Sequence, residues 1–163
     1  ILNILSAVAV ARYLGISWQT IARAVSAMQQ VEHRLELKKI NGYRFIDDAF
    51  NANPTGSAMA LEVLSMMPGT RYIVTPGMID LGEKQEEVNH RFGTLMKDRV
   101  DEVILVGRIQ TEPIYAGLME SGFDMEHVKV VDKVSEAFDI VYSTASRQDT
   151  ILLENDLPDA FNH

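Results

Sequence analysis

Residues 45–54 have the sequence FIDDAFNANP, and the organisation of the chain follows from this stretch. Its apolar start is typical of a short buried strand, and two adjacent acids follow. Asn53 is a natural N-cap, and Pro54 suits the first position of a helix because its missing N–H would have no partner there. The stretch predicts carboxylates and carboxamides at a strand end facing a helix N-terminus, where open α/β sheets bind ligands. A capped turn with solvated acids fits the same spacing.

Short apolar runs alternate with helical patterns from residue 43 onward. Strands are predicted at 43–46, 72–75, 102–106, 128–131 and 150–153, and helices at 54–67, 86–99, 111–121 and 133–145. This alternation favours an α/β fold whose parallel sheet has helices on both faces. Because the carboxyl ends of parallel strands meet at one edge, the loops there should gather: 47–53, 75–83, 107–110, residue 132 and 154–158.

The first part of the chain has a different pattern. A helical hairpin is predicted, with Gly15 ending the first helix, Ser17 capping the second, and one apolar face in the first formed by Leu2, Leu5, Ala9 and Tyr13. The charged segment 31–34 has no periodicity, so we expect two domains, 1–32 and 33–163. The second opens with a β-hairpin around Asn41-Gly42. Since the sequence starts within a helical pattern, we expect it to be a fragment of a longer protein.

Composition excludes several classes of protein. The 163 residues are 47% hydrophobic and 23% charged, which is typical of a globular domain. The net charge of −8 argues against binding to nucleic acid or an anionic membrane. Without cysteine there can be no disulfide or thiolate site, and no apolar run is long enough to insert in a membrane.

Several familiar catalytic motifs are missing from the sequence. It contains no G-x-x-x-x-G-K-[ST] phosphate loop, and no G-x-G-x-x-G follows the first parallel strand. The histidines are too scattered for a metal signature, and no serine has a plausible neighbouring base. A receiver domain also has an acid pair after its first strand, but the Asp and Lys that it needs after its third and fifth strands are absent at residues 106–108 and 153–154.

The stretch DDAFNANP at 47–54 resembles the D-D-[ST]-Y-N-A-N-P signature that opens the C-terminal domain of the Mur ligases. Three further stretches are similar to motifs of that family, in the same order. Residues 3–11 resemble a helix near the end of the central ATPase domain, and HRLE at 33–36 resembles the [GH]-R-[LM]-E entry to the C-terminal domain. GMIDLGE at 77–83 resembles the G-[DE]-M-x-E-L-G-E loop.

The resemblance implies a Rossmann-like, mostly parallel sheet and ATP-driven amide formation. In this family ATP phosphorylates the carboxylate of a UDP-muramoyl peptide, and an amine then attacks the acyl phosphate. The likeness is strongest to members that add D-alanyl-D-alanine to the tripeptide, in the bacterial cytoplasm. ATP and Mg²⁺ would be bound mainly by the central domain, which carries the phosphate loop. The fragment alone would then have no catalytic residue, no metal site and no ligase activity.

The family motifs also imply individual roles. Asn3 would contact adenine, Arg34 the ATP phosphates and Asp48 the ribose hydroxyls, while Asn51 and Asn53 would shape the nucleotide and D-alanyl-D-alanine side of the cleft. Some positions depart from the family. Ala49 and Phe50 replace hydroxyl residues, the loop at 75–78 lacks an acid before Met78, and the tail at 153–158 lacks a K-G-S-R ending. A different amine acceptor, a folylpolyglutamate-synthase-like relative and a non-catalytic binding or regulatory domain therefore stay open as alternatives.

Overall fold

The computed structural model describes residues 2–29, 31–50 and 53–155. They belong to two compact units, Ile1–Val31 and Glu32–His163. The first contains helix α1 (Leu2–Tyr13) and helix α2 (Trp18–Ser26). Gly15 lies between them with φ +81°, and Ser17 caps α2 by accepting from the Thr20 N–H at 3.2 Å. The helical hairpin and both of its turn signals are confirmed.

The packed side of α1 differs from the face that the spacing predicted. Ile4, Val8 and Ala11 are half-buried, whereas Leu5 and Tyr13 are 56% and 91% exposed. The predicted face was wrong because apolar residues surround this helix, so that periodicity alone does not identify its packed side.

The second unit is an α/β domain built from ten regular elements. Two short 3₁₀ turns, Gly82–Lys84 and Met125–His127, accompany them. In chain order the elements are β1 (Glu36–Ile40), β2 (Tyr43–Asp48), α3 (Pro54–Ser65), β3 (Arg71–Thr75), α4 (Gln85–Met96), β4 (Glu102–Val106), α5 (Arg108–Ser121), β5 (Val128–Val131), α6 (Val134–Thr144) and β6 (Thr150–Glu154). The predicted order of strands and helices from residue 43 is confirmed.

The strands form one six-stranded sheet in the order β1-β2-β6-β3-β4-β5. Strand β1 is antiparallel to β2, and the other four pairs are parallel. Strand β6 therefore lies in the middle of the sheet, between β2 and β3. This placement brings the end of β6 next to the two acids at the end of β2.

Helices cover both faces of the sheet, as predicted. Alternate residues of β6 show the division, since Leu152 packs in one core cluster with Leu61 and Met96 from α3 and α4. Ile151 and Leu153 pack in the other, with Val141 from α6. The fold is thus a Rossmann-like layered α/β domain with α3, α4 and α5 on one side and α6 on the other.

Helices α4 and α5 pack backbone to backbone. A Cβ atom on Gly93 would collide with the carbonyl oxygen of Ile114, and one on Gly117 with that of His90. Glycine is therefore required at both positions for this approach.

Helix α5 begins at Arg108, three residues before the predicted start. Gly107, at φ +87°, follows β4 and lets the helix begin immediately after the strand, with Pro113 inside it. Among the described residues, every helix is too short or too polar to cross a lipid bilayer.

Candidate functional site

The loops that leave β2, β3 and β6 meet at the carboxyl edge of the sheet. Asp48 at the end of β2 is the register partner of Glu154 at the end of β6. The Asn155 N–H donates to the Asp48 carbonyl oxygen at 3.2 Å, and its side-chain amide donates to the carbonyl oxygen of Gly77 after β3. The predicted gathering of these three loops is therefore confirmed, and they form the frame of the candidate site.

The two acids of the motif have different surroundings. Asp47 is completely buried and contacts His33 Nδ1 at 2.9 Å and Lys38 Nζ at 2.7 Å. It also accepts from the Ala49 N–H at 3.2 Å. Burial tends to lower the pKa of Lys38, but its hydrogen bonds to Asp47 and Glu36 outweigh this and raise it. Asp47 thus holds β1 and the segment that enters it, residues 33–35, against β2. This is a structural role.

Asp48 is half-buried on the other face of the sheet. Its Oδ1 accepts from the Leu35 N–H at 2.9 Å. Burial raises its pKa, while the Leu35 N–H and the nearby positive charge of Arg34 act in the opposite direction. The entry segment bends to make this contact, since His33 and Leu35 both have positive φ, +57° and +48°. The bend places Arg34, which lies between them, beside Asp48.

Four predicted or motif residues line one cavity of about 170 Å³: Arg34, Asp48, Phe50 and Asn53. The Arg34 guanidinium carbon lies 4.7 Å from the centre of the Phe50 ring. Asn53 caps α3, since its Oδ1 accepts from the Gly56 N–H at 2.9 Å. The cavity therefore combines a cation, a carboxylate and the positive end of a helix. That set can bind an anionic group together with hydroxyl groups.

Glu154 lies next to Asp48, and no site role was predicted for it from the sequence. It is 1% exposed, and among the described residues neither of its carboxyl oxygens has a hydrogen-bond partner. Burial, together with the neighbouring Asp48, raises its pKa to about 8. The one sequence signal was its position where the family's K-G-S-R ending is missing. At neutral pH this carboxyl group is mainly protonated.

Asn89 holds the loop after β3 and was also missed. It is 1% exposed, its Oδ1 accepts from the Met78 N–H at 2.8 Å, and its amide donates to the Met78 carbonyl oxygen at 2.8 Å. The amide also donates to the Gln85 carbonyl oxygen at 3.0 Å. In the sequence Asn89 falls inside a helical pattern, and nothing in that pattern indicates its contact with Met78. It keeps the start of the loop next to α3.

The remaining predicted residues belong to the first unit or lie outside the described residues. Asn3 is exposed on α1, in the first unit. Asn51 lies outside the described residues. Within 2–29, 31–50 and 53–155, no three His, Asp or Glu side chains are grouped as metal ligands would be. The binding roles of Asn3, Arg34, Asp48, Asn51 and Asn53 stay predictions.

Ligases of known function are similar to this chain in sequence over most of its length. It is 27% identical over 158 residues to the UDP-N-acetylmuramoyl-tripeptide–D-alanyl-D-alanine ligase of Bacillus subtilis, covering 94% of this chain and 34% of that enzyme. It is 28% identical over 152 residues to the UDP-N-acetylmuramoylalanine–D-glutamate ligase of Caldanaerobacter subterraneus, covering 93% and 32%. The chain thus spans about a third of the length of the curated relatives it matches.

A solved structure and a family model agree with these relatives. The crystal structure of MurF from Acinetobacter baumannii superposes with a TM-score of 0.76 at 25% identity, covering 99% of this chain and 34% of that one. The family model for the Mur ligase, glutamate ligase domain, matches residues 33–154. The match includes the whole sheet and the residues that line the cavity, among them Arg34, Asp48, Phe50 and Asn53. The chain therefore belongs to the Mur ligase family and carries its glutamate ligase domain.

Proposed function

We propose that this chain is the C-terminal part of an ATP-dependent ligase that joins an amine to the carboxyl group of a UDP-muramoyl peptide. The observation that supports it best is the meeting of Arg34 and Asp48 at one cavity beside the N-terminus of α3. A guanidinium group and a helix N-terminus suit phosphate, and a carboxylate accepts hydrogen bonds from ribose hydroxyls. A nucleotide is the ligand that needs both.

The residues of this chain would bind and orient rather than react. Arg34 would contact the phosphates, Asp48 the ribose, and Asn3 the adenine. Asn51 and Asn53 would shape the side of the cleft that holds the nucleotide and the acceptor. ATP, when bound, supplies the phosphoryl group that activates the peptide carboxylate, and Mg²⁺ would be held by the central domain. Holding nucleotide and amine in register contributes several kcal/mol to such reactions in general.

The domain arrangement is part of the proposal. Residues 1–32 would be the last two helices of the central ATPase domain, and 33–163 the C-terminal domain that closes over it. The partners would be the N-terminal and central domains of the same protein. UDP-linked peptide precursors are made in the bacterial cytoplasm, which is where we place this protein.

D-Alanyl-D-alanine is the proposed acceptor, supported by the Bacillus subtilis relative with that named activity. D-Glutamate is the second candidate, because a ligase named for it is as similar over nearly the same span. A domain that binds ligand without catalysis is the third, favoured by the loss of two motif hydroxyls at Ala49 and Phe50.

ADP binding by the full-length protein tests the nucleotide site. Titration calorimetry should show ADP binding that Arg34→Ala and Asp48→Asn each weaken at least several-fold. Arg108→Ala is the matched control, because Arg108 is exposed and pairs with Asp132 at 3.0 Å, outside the cavity. Equal ADP affinity in all four proteins would contradict the assignment of the site.

Phosphate release by the full-length protein tests the acceptor. With UDP-muramoyl tripeptide, release should require D-alanyl-D-alanine and not D-glutamate. Phosphate release that requires D-glutamate, with UDP-muramoyl-alanine as the other substrate, would favour the second candidate. ADP binding without release under either condition would favour the non-catalytic one.

A further inference from the structure

The carboxyl groups of Asp48 and Glu154 lie side by side on one face of the sheet. The two residues are register partners on adjacent parallel strands, and Asp48 belongs to the cavity wall. Glu154 is behind it, with 1% of its surface exposed. Glu154 follows Leu152 on the face covered by α3, just as Asp48 follows Ile46.

Among the described residues, an ionised Glu154 has at most one nearby donor, the hydroxyl of Ser57. Both of its oxygens lack a partner among the described residues. Ser57 of α3 has a single hydroxyl proton, for which the Asn53 carbonyl oxygen at 3.1 Å and the Met78 sulfur at 3.6 Å compete with Glu154. Asp48 is an acceptor too when ionised. A hydrogen bond between the two acids therefore needs a proton on one of them.

The surrounding charges decide which acid holds the proton. Burial raises the pKa of Asp48, and the negative charge of Asp47 acts in the same direction. The Leu35 N–H, which Asp48 accepts at 2.9 Å, the Glu154 carboxyl and the positive charge of Arg34 all favour the ionised form of Asp48. Glu154 is more deeply buried, and its charged neighbour, Asp48, is negative. Glu154 is thus the acid that remains neutral, and Asp48 the one that carries the charge.

We propose that Glu154 is a positioning residue of the cavity, which donates its carboxyl proton to the carboxylate of Asp48 and so holds Asp48 in place for the hydroxyl groups of a ligand. The proton stays on Glu154, and no bond to the ligand is made by Glu154 itself. Taking that ligand to be a nucleotide rests on the proposed function. The hydrogen bond between the acids does not.

Loss of this proton should weaken nucleotide binding in two ways. The hydrogen bond that orients Asp48 is lost, and a second negative charge develops beneath a cavity proposed to hold phosphate. Nucleotide affinity should therefore fall as pH rises through the range in which Glu154 ionises. Glu154→Gln keeps a donor toward Asp48 and stays neutral, whereas Glu154→Leu removes the donor.

Carboxyl-carbon NMR of the chain tests the pair without any ligand. The Glu154 carboxyl signal should titrate well above the range of an ordinary glutamate, and the Asp48 signal should shift in the same step. In Glu154→Gln, the Asp48 signal should no longer shift in the pH range in which Glu154 titrates in the unsubstituted chain. An ordinary titration of Glu154, or an Asp48 signal unchanged by the substitution, would overturn the proposal.

The ADP affinity of the full-length protein between about pH 7 and pH 9 tests the positioning role. In the unsubstituted protein it should fall several-fold as the pH rises, and in Glu154→Gln it should stay nearly constant. In Glu154→Leu it should be several-fold weaker already at the lower pH. Glu112→Gln, the same change at an exposed position of α5, should behave like the unsubstituted chain. Circular dichroism confirms that each variant is folded.

Two results separate the proposals. Unchanged affinity in Glu154→Leu at the lower pH would overturn the positioning role and leave the nucleotide site standing. If the NMR titration is coupled but Arg34→Ala and Asp48→Asn leave the ADP affinity of the full-length protein unchanged, the nucleotide site is overturned. The role of Glu154 toward a nucleotide then fails with it, although the hydrogen bond between the acids is established.

Discussion

Arg34 rests on the ring of Phe50, with its guanidinium carbon 4.7 Å from the ring centre. Both side chains line the cavity, and both are exposed enough to meet a ligand. A cation over an aromatic face is attracted by the electrons of the ring. The contact limits the positions that a long, exposed arginine would otherwise sample. Phenylalanine keeps this ring face although it lacks the hydroxyl of the family's usual tyrosine.

Phe50→Leu should weaken ADP binding about 2- to 5-fold, because an exposed cation–π contact contributes about 0.5–1 kcal/mol. Titration calorimetry measures the change. Phe50→Tyr is the control and should bind ADP as the unsubstituted chain does, since it retains the aromatic face. A leucine variant with full affinity would show that Arg34 needs no support from the ring.

The stability of the domain should depend on pH through Glu154. Its pKa is about 8 in the folded protein, against 4.5 for an ordinary glutamate. Between these values the folded protein holds a proton that the unfolded chain has lost. The free energy of unfolding should therefore fall as pH rises through this window, by up to about 1.4 kcal/mol per pH unit, and level off above it.

Glu154→Gln should remove most of that dependence and stabilise the domain by a few kcal/mol at pH 8, because no buried charge has to form. Urea denaturation at several pH values between 5 and 9 measures both effects. The exposed Glu112→Gln variant should retain the slope. If the unfolding free energy of Glu154→Gln depended on pH as strongly as that of the unsubstituted domain, another group would be responsible for the dependence.

Asn53 has a structural role that can be separated from a binding role. Asn53→Ala should destabilise the domain by about 1 kcal/mol, because the cap of α3 is lost. Asn53→Asp retains an acceptor for the Gly56 N–H and should keep most of the stability. If Asn53 also faces the ligand, the aspartate variant will bind ADP more weakly despite its normal stability. Urea denaturation and calorimetry on the same samples distinguish the two roles.

Asn89→Leu should destabilise the domain by about 2–5 kcal/mol. The substitution leaves the buried N–H and carbonyl of Met78 without their partner, and each unpaired group costs about 1–3 kcal/mol. Hydrogen exchange at the Met78 amide should also become faster, since this N–H donates to Asn89 at 2.8 Å. His90→Ala, at the next position, removes only a 3.0 Å ion pair with the mostly exposed Glu120 and should cost about 0.5 kcal/mol or less. Slow exchange at Met78 in the leucine variant would contradict this role.

The sequence predicted the local structure well because its signals are local. Asn53 and Pro54 mark the start of α3 through capping chemistry, and both positions are confirmed. Alternating apolar runs and amphipathic segments predicted the order of strands and helices. Where the pattern itself was ambiguous, the prediction failed. This happened on α1, where apolar residues lie on all sides of the helix, and at the start of α5, which begins three residues earlier than predicted.

The sequence by itself determined the fold class, the capped turn after β2 and the motif that carries Arg34, Asp48 and Asn53. Only the tertiary structure decided which strands are neighbours. Strand order depends on contacts between residues far apart in the chain, and these leave no periodic signal. Because β6 enters between β2 and β3, Glu154 lies beside Asp48 and Asn155 joins two loops. The buried proton next to the cavity is a property of that arrangement.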